Sequence, residues 1–278
     1  MGRVSVGIGL REPYVDELLA LDDRGAIDVL EVMIDEAMHP GPKRDRWRRL
    51  GAKWPLVAHG TELGIADAEG PREDYLAHLH ETAKSLHLHW YSEHLAFLRA
   101  GGIELGHFGP FFDDEESLEV LARNAARVVD GLGCPLLLEN PADVLGWAGE
   151  GDEDVATRLG RCFDRALRAA NCGALLDLTN LLYNARNEGY DARGFLEAMD
   201  AARVVEIHLA GGKSWDGLWI DSHDHAVEVD ALALLRQVLP RATNLRAIIV
   251  ERDDRLPELS CLLEEVAAVR AVVAEVAA

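Results

Sequence analysis

Acids and imidazoles recur along this chain in one setting, the polar end of a short apolar run. The segments read VAHG at His59, SEHL at Glu93 and His94, LLLENP at Glu139, and LLDLTN at Asp177 and Asn180. They continue with EIHLAGG at His208, IDSHDH at Asp221, His223 and His225, and IIVERD at Glu251. If the apolar runs are strands of a parallel α/β barrel, their C-terminal ends open on one face and these residues converge there. Imidazole nitrogens and carboxylate oxygens without thiolates form the donor set of Fe, Mn or Zn sites. Taken singly, each residue has a plainer role: His59 as a hydrogen-bonded structural histidine, Glu139 as an arginine's partner, Asp177 as the cap of the next helix. Taken together, they would bury many like charges in one place, which desolvation and repulsion oppose unless cations balance them. The set predicts a metal centre, with more than one metal.

The histidines in LAHLHETAKSLHLHW are a different case. His78 and His80 stand two apart on a helical stretch and so on different faces. His87 and His89 precede a strand rather than close it. All four are left out of the site; His39 and His107 are loop residues with weak claims, and His225 could serve behind Asp221 and His223.

The elements that must position this set alternate short apolar runs with longer amphipathic ones, the pattern of βα units on a parallel sheet. Strands are expected at Val4–Gly9, Ile27–Glu31, Leu56–Ala58, Trp90–Ser92, Leu136–Leu138, Ala174–Leu176, Val204–Ile207 and Ala247–Val250. Helices are expected at Pro13–Leu21, Pro42–Leu50, Arg72–Ser85, Glu115–Gly131, Val155–Ala170, Ala192–Met199, Val229–Leu239 and Pro257–Val276. Eight of each is the count of a closed (β/α)8 TIM barrel, and 278 residues suit one such domain over 1–278. Two long connections, 98–113 and 210–225, fall on the face where a barrel carries its site; they are read as loops that shape substrate access.

A net charge of -21 argues against nucleic acid as a partner, since phosphates would be repelled. No apolar run approaches the ~20 residues of a membrane span. The N-terminus is too quickly charged for a secretory signal. Cys134, Cys162, Cys172 and Cys261 form no CxxC pair, so reduced thiols in a cytoplasmic protein are expected. No nucleophile elbow, Walker loop or dinucleotide glycine motif is present.

The motifs SEHLAF, LLLENP, LLDLTN, EIHLAGG, IDSHD and the terminal ERD resemble those of the multinuclear non-heme iron-dependent oxidases, the family that includes the iron subunit of methanobactin biosynthesis. The resemblance runs from GIGLREPYVDELL to the last helix. It implies a TIM barrel holding two or three irons, ferrous and ferric together. Dioxygen would be the co-substrate, and a ribosomally synthesised precursor peptide would be oxidised at a cysteine or at an Asp or Asn. By position, it implies His59, His94, Glu139, Asp177, Asn180, His208, Asp221, His223 and Glu251 as metal ligands, with Glu139 bridging. Asp253 is implied as a proton acceptor or an acid behind the ligands. A partner protein for peptide recognition is implied too. Arg252 stands where the family usually has tryptophan, Thr179 replaces an asparagine, and the GHFGPFF loop departs from the family pattern; all three fall on the substrate side.

Two other readings use the same residues. One is a divalent-metal barrel of the sugar-isomerase or endonuclease type. An isomerase would carry a lysine among its ligands, for which Lys213 is the one candidate, and an endonuclease would need a basic face. The other is a non-catalytic subunit that binds metal or peptide for a partner enzyme.

Overall fold

The computed structural model describes residues 3–22, 25–142 and 154–277. The chain begins with β1 (Ser5–Gly9), α1 (Val15–Ala20), β2 (Leu30–Met33), α2 (Pro42–Gly51), β3 (Leu56–Gly60), α3 (Glu73–Leu86) and β4 (Tyr91–His94). A hairpin follows, β5 (Phe97–Ala100) and β6 (Ile103–Gly109), then α4 (Glu115–Leu132), β7 (Leu136–Glu139), α5 (Val155–Ala169) and β8 (Gly173–Asp177). Two helices come next, α6 (Leu178–Glu188) and α7 (Ala192–Ala198), then β9 (Val204–Leu209) and a second hairpin, β10 (Gly211–Trp215) and β11 (Leu218–His225). The chain ends with α8 (Val229–Val238), β12 (Ala247–Val250) and α9 (Leu259–Ala277).

Eight strands close into a parallel barrel in the order β1-β12-β9-β8-β7-β4-β3-β2. The expected fold is therefore observed, and its strands show why the site sits where it does. Successive side chains alternate between the helical layer and the pore. Val6, Ile8, Leu30, Val32, Leu56, Ala58, Ile248 and Val250 pack in the large core under the helices. Val29, Val57, Ala247 and Ile249 form a separate cluster with Trp90, the pore's apolar floor. Continuing the alternation two residues past Val29, Val57 and Ile249 reaches Glu31, His59 and Glu251, all buried. Polar pore residues thus stand on an apolar plug, and the plug keeps them off the bottom of the barrel.

Three features differ from the sequence expectation. The connections at 98–113 and 210–225 contain two-stranded hairpins. Their turns carry Gly101 and Gly102 at φ 59 and 77, and Asp216 and Gly217 at φ 50 and 84, the left-handed pairs that suit tight hairpin turns. Secondly, α6 follows β8 directly, with the Asp177 side chain accepting from the backbone N–H groups of Thr179 and Asn180. Thirdly, β3, β4, β7, β8 and β9 run one or two residues past the expected ends, so His59, His94, Glu139, Asp177 and His208 are strand residues.

Candidate metal centre

The nine expected ligands come together at the C-terminal mouth of the barrel or on the hairpin that folds over it. Glu139, on β7, is central. Its Oε2 lies 3.2 Å from Nε2 of both His59 and His94. Its Oε1 lies 3.9 Å from His208 Nδ1 and accepts from Asn180 Nδ2 at 3.3 Å. Glu251 Oε2 is 2.8 Å from His208 Nδ1 and 3.9 Å from His223 Nδ1. Asp221 Oδ1 is 2.7 Å from His223 Nε2. His223 reaches this position from β11 with a left-handed backbone, φ 47, unusual for a non-glycine residue.

Each imidazole is anchored through one nitrogen. His59 Nδ1 lies 2.9 Å from Ser92 Oγ, whose own proton goes to the Ala58 carbonyl, so His59 donates there. His94 Nδ1 points to the Gly60 carbonyl at 3.3 Å. His208 Nε2 meets Glu31 Oε2 at 3.0 Å, and His223 Nδ1 meets Asp253 Oδ2 at 2.8 Å. The opposite nitrogen of each ring is thereby turned toward the carboxylates, the arrangement in which outer hydrogen bonds orient metal-binding histidines.

The donor atoms fit cations. Asp177 Oδ2, Asn180 Oδ1 and Glu31 Oε1 are buried without a hydrogen-bond partner. Such atoms are costly to bury unpaired. Side chains of the site form groups of three whose ligand atoms lie within 4.8 Å of one another: His59, His94 and Glu139; Glu139, Asp177 and His208; Asp177, His223 and Glu251; and Glu31, His208 and Glu251; Asp221 is in none of them. Glu139 and Asp177 each belong to two groups, so neighbouring cations there would share carboxylates.

The electrostatics agree. With only the protein's own charges, burial pushes the Glu139 carboxyl up to about 7 against the pull of His94 and His208. Burial, then Asp221 and Glu139, raise Asp177. Burial opposes charging His208 and His94, yet Glu251 and Glu31 raise His208, and Glu139 raises His94 to about 9. Protons are doing here what cations would do better, since metal ligands must be deprotonated.

Asp253 is not among the grouped ligand atoms. Despite burial, His223 and Arg11 hold it below the usual carboxylate range. Arg11 donates to it through both Nε, at 2.7 Å, and Nη2. Two site residues escape the sequence reading. Glu31 ends the expected strand Ile27–Glu31 and so shares the strand-end setting of Glu139, a signal the reading leaves unused; Arg11 lies beyond β1 and outside the recurring strand-end motifs. The excluded histidines are remote from these groups: His80 bonds the Val128 carbonyl, and His78 packs on His39. His225 is held by Asp224. Lys213 also pairs with Asp224, at 3.0 Å, and is no part of the ligand groups.

A groove of about 430 Å³ opens onto His94, Asn180 and Asp221, between the two hairpins. Phe108 stacks on the His94 ring at 4.0 Å, and Trp219 stacks on Tyr183 at 5.5 Å. Of the two tryptophans in the 210–225 connection, Trp219 lines the groove, whereas Trp215 is 71% exposed on the hairpin. Arg252 is buried and donates to Glu265 of α9 at 2.6 Å, so it supports the rim from behind.

A (β/α)8 barrel with linked imidazole and carboxylate groups under an open groove has the form of a metal-site enzyme. The chain matches the family described as RiPP precursor modification enzyme MbnB/TglH/ChrH over residues 5–274, and it belongs to that family. It is 33% identical over 271 residues to the UPF0276 protein of Rhizorhabdus wittichii, covering 97% of this chain and 95% of that one. In structure it is similar to D-psicose 3-epimerase from Clostridium cellulolyticum, with a TM-score of 0.62 and 12% identity over 98% of this chain and 99% of the other. It is also similar to endonuclease IV from Thermus thermophilus, with a TM-score of 0.58 and 20% identity over 98% and 99% of the two chains. At those identities the likeness is one of fold alone. The family description indicates an enzyme and gives a role in modifying ribosomally made precursor peptides. Among the described residues, no helix is long and apolar enough to cross a membrane.

Proposed function

We propose that this protein is a multinuclear iron oxidase that uses dioxygen to modify one residue of a ribosomally synthesised precursor peptide, a cysteine or else an Asp or Asn. The observation that carries this reading is the set of ligand groups linked through Glu139 and Asp177. In the proposed assignment, His59 and His94 hold one iron with Glu139. Asp177 and His208 would hold a second, with Glu139 shared between the two. Where a third is present, His223, Asp221 and Glu251 hold it, with Asn180 Oδ1 available to the cluster. Iron bound there, ferrous and ferric together, would supply Lewis acidity toward a substrate thiolate or carboxylate and electron exchange with dioxygen.

The chain's own residues do the rest. Arg11 and His223 keep Asp253 charged, which supports an orienting role on His223 rather than proton removal from substrate. Phe108 covers the His94 ring and limits water on that side. The groove receives the peptide. The acidic chain favours a leader segment or a partner protein carrying Lys or Arg, with an affinity that weakens in salt. The proposed compartment is the cytoplasm, where the four free cysteines stay reduced.

Elemental analysis and an oxygen electrode test this. Protein from iron-supplied cells should contain roughly two to three irons per chain, as the donor set implies. It should also consume dioxygen when given the precursor peptide. Tightly bound zinc that cannot be exchanged for iron with gain of activity would contradict the proposal.

A further inference from the structure

Beside the groove lies a second, smaller chamber that the ligand assignment does not use. It is walled by apolar side chains, chiefly Phe111, Leu159, Phe163, Leu181 and Phe195, with Cys162 among them. Its position is set by the site itself. Leu95, Asn140 and Leu181, which also line it, are the immediate chain neighbours of His94, Glu139 and Asn180. Phe108, Ala142, Asn184 and Glu188 border both the chamber and the groove, so the two are continuous. Phe108 is the partition: its ring stacks on His94, and it belongs to the wall of both spaces.

We propose that this chamber is a side-chain subsite for the peptide: it takes one aromatic or branched aliphatic residue that neighbours the residue acted on at the metal centre. The inference rests on the peptide-modifying reading and adds to it a sequence preference. Size decides against an independent small-molecule site. The chamber measures about 100 Å³, against about 430 Å³ for the groove, and free-standing ligands occupy roughly 300–1,000 Å³. The wall decides the chemistry. Its phenylalanines and leucines offer area to an apolar side chain, whereas a charged one would lose its hydration against them. Geometry decides the register. A chamber bounded by chain neighbours of three ligands lies within a residue or two of the reacting position, since an extended peptide advances only ~3.3–3.6 Å per residue.

The test uses a synthetic library, Gly-Gly-Xaa-Cys-Xaa-Gly-Gly, acetylated and amidated at its ends, with Xaa running over the natural amino acids. Immobilised iron-loaded protein is equilibrated with the library, and retained peptides are counted by mass spectrometry. Phe, Tyr, Trp, Leu or Ile should be enriched at one of the two variable positions by about tenfold over Gly, or about 1.4 kcal/mol. Ala142→Phe at the shared rim and Leu159→Trp in the wall fill the chamber from different sides. Each should erase the enrichment while the metal content and melting temperature stay as in the parent protein. Should one variant not fold, the other still decides. Equal retention of Gly and the bulky residues, enrichment that survives both fillings, or retention of no peptide at all would overturn the subsite. The mass of the cysteine separates this inference from the reading it rests on. Flat retention with a dioxygen-dependent mass change removes the subsite alone. Selective retention without any mass change keeps the subsite and counts against the oxidase.

Discussion

Glu31 and His208 meet inside the barrel, Oε2 to Nε2 at 3.0 Å, both almost wholly buried. This contact turns His208 Nδ1 toward Glu251 and Glu139 and fixes which ring nitrogen can bind a cation. Glu31→Gln preserves the volume but replaces a charged acceptor with an amide. Metal affinity, measured by chelator competition, should fall about tenfold or more, the usual effect of removing such an outer partner. Parent-like affinity would show that His208 needs no orientation from Glu31.

His208→Ala removes an imidazole that belongs to two ligand groups, from a strand whose backbone pairing does not depend on it. The far-UV circular dichroism should be retained, while elemental analysis should show the loss of about one metal per chain, as expected when a closed set of ligands is opened. Unchanged metal content would remove His208 from the centre.

Removing the metal should give the protein a pH-dependent stability. Burial raises Glu139 to about 7, and Glu139 in turn raises His94 to about 9 against the effect of burial. Both groups hold protons more tightly folded than unfolded, so their stabilising protons are lost as pH rises through those values. Glu139 loses its contribution between about pH 4.5 and 7 and His94 between about pH 6.5 and 9, so the melting temperature of chelator-treated protein should fall across about pH 4.5 to 9. Reloaded protein should show a flatter profile, because ligands are already deprotonated when metal is bound. Identical slopes in the two forms would contradict the placement of these groups at the metal.

Thiol reactivity follows from burial. Desolvation pushes Cys134 up to about 11, and Cys162 and Cys172 up to about 12, whereas Cys261 is exposed. A disulfide reagent at neutral pH should label Cys261 rapidly and the other three slowly, because the thiolate is the reactive form. Fast labelling of Cys162 would mean that its thiol is less desolvated than its burial implies.

The barrel is legible in the sequence because each strand's apolar run faces the helical layer on every second residue, which leaves a periodic signal. The same signal stops the strands too early, because polar residues at the mouth face the pore, where ligands and not solvent set the composition: His59, Glu139 and Asp177 lie beyond the apolar runs yet continue the strands. Asp177 shows how two readings can both hold, since it caps α6 and also turns a partnerless oxygen to the site. The helix α6 itself escapes the pattern, although LTNLLYNARNE is amphipathic, because the chain starts a second helix only three residues later. The hairpins carry a signal of their own, the Gly-Gly and Asp-Gly pairs at their turns, which the reading of both segments as loops leaves unused. Arg11 has no such signal, and Glu31 has only its place at the end of an expected strand. Their importance comes from contacts between segments distant in sequence, 177 residues apart for Glu31 and 242 for Arg11.

The most direct test of the metal-centre account is the mass of a cysteine-containing precursor peptide after incubation with the protein. Four samples suffice: iron with dioxygen, iron under anaerobic conditions, zinc with dioxygen, and iron-treated His208→Ala with dioxygen. The account predicts a mass change confined to one residue in the first sample and an unmodified peptide in the other three. An unmodified peptide in all four, with turnover of a ketose or a phosphoester by the same iron- or zinc-loaded protein, would contradict it.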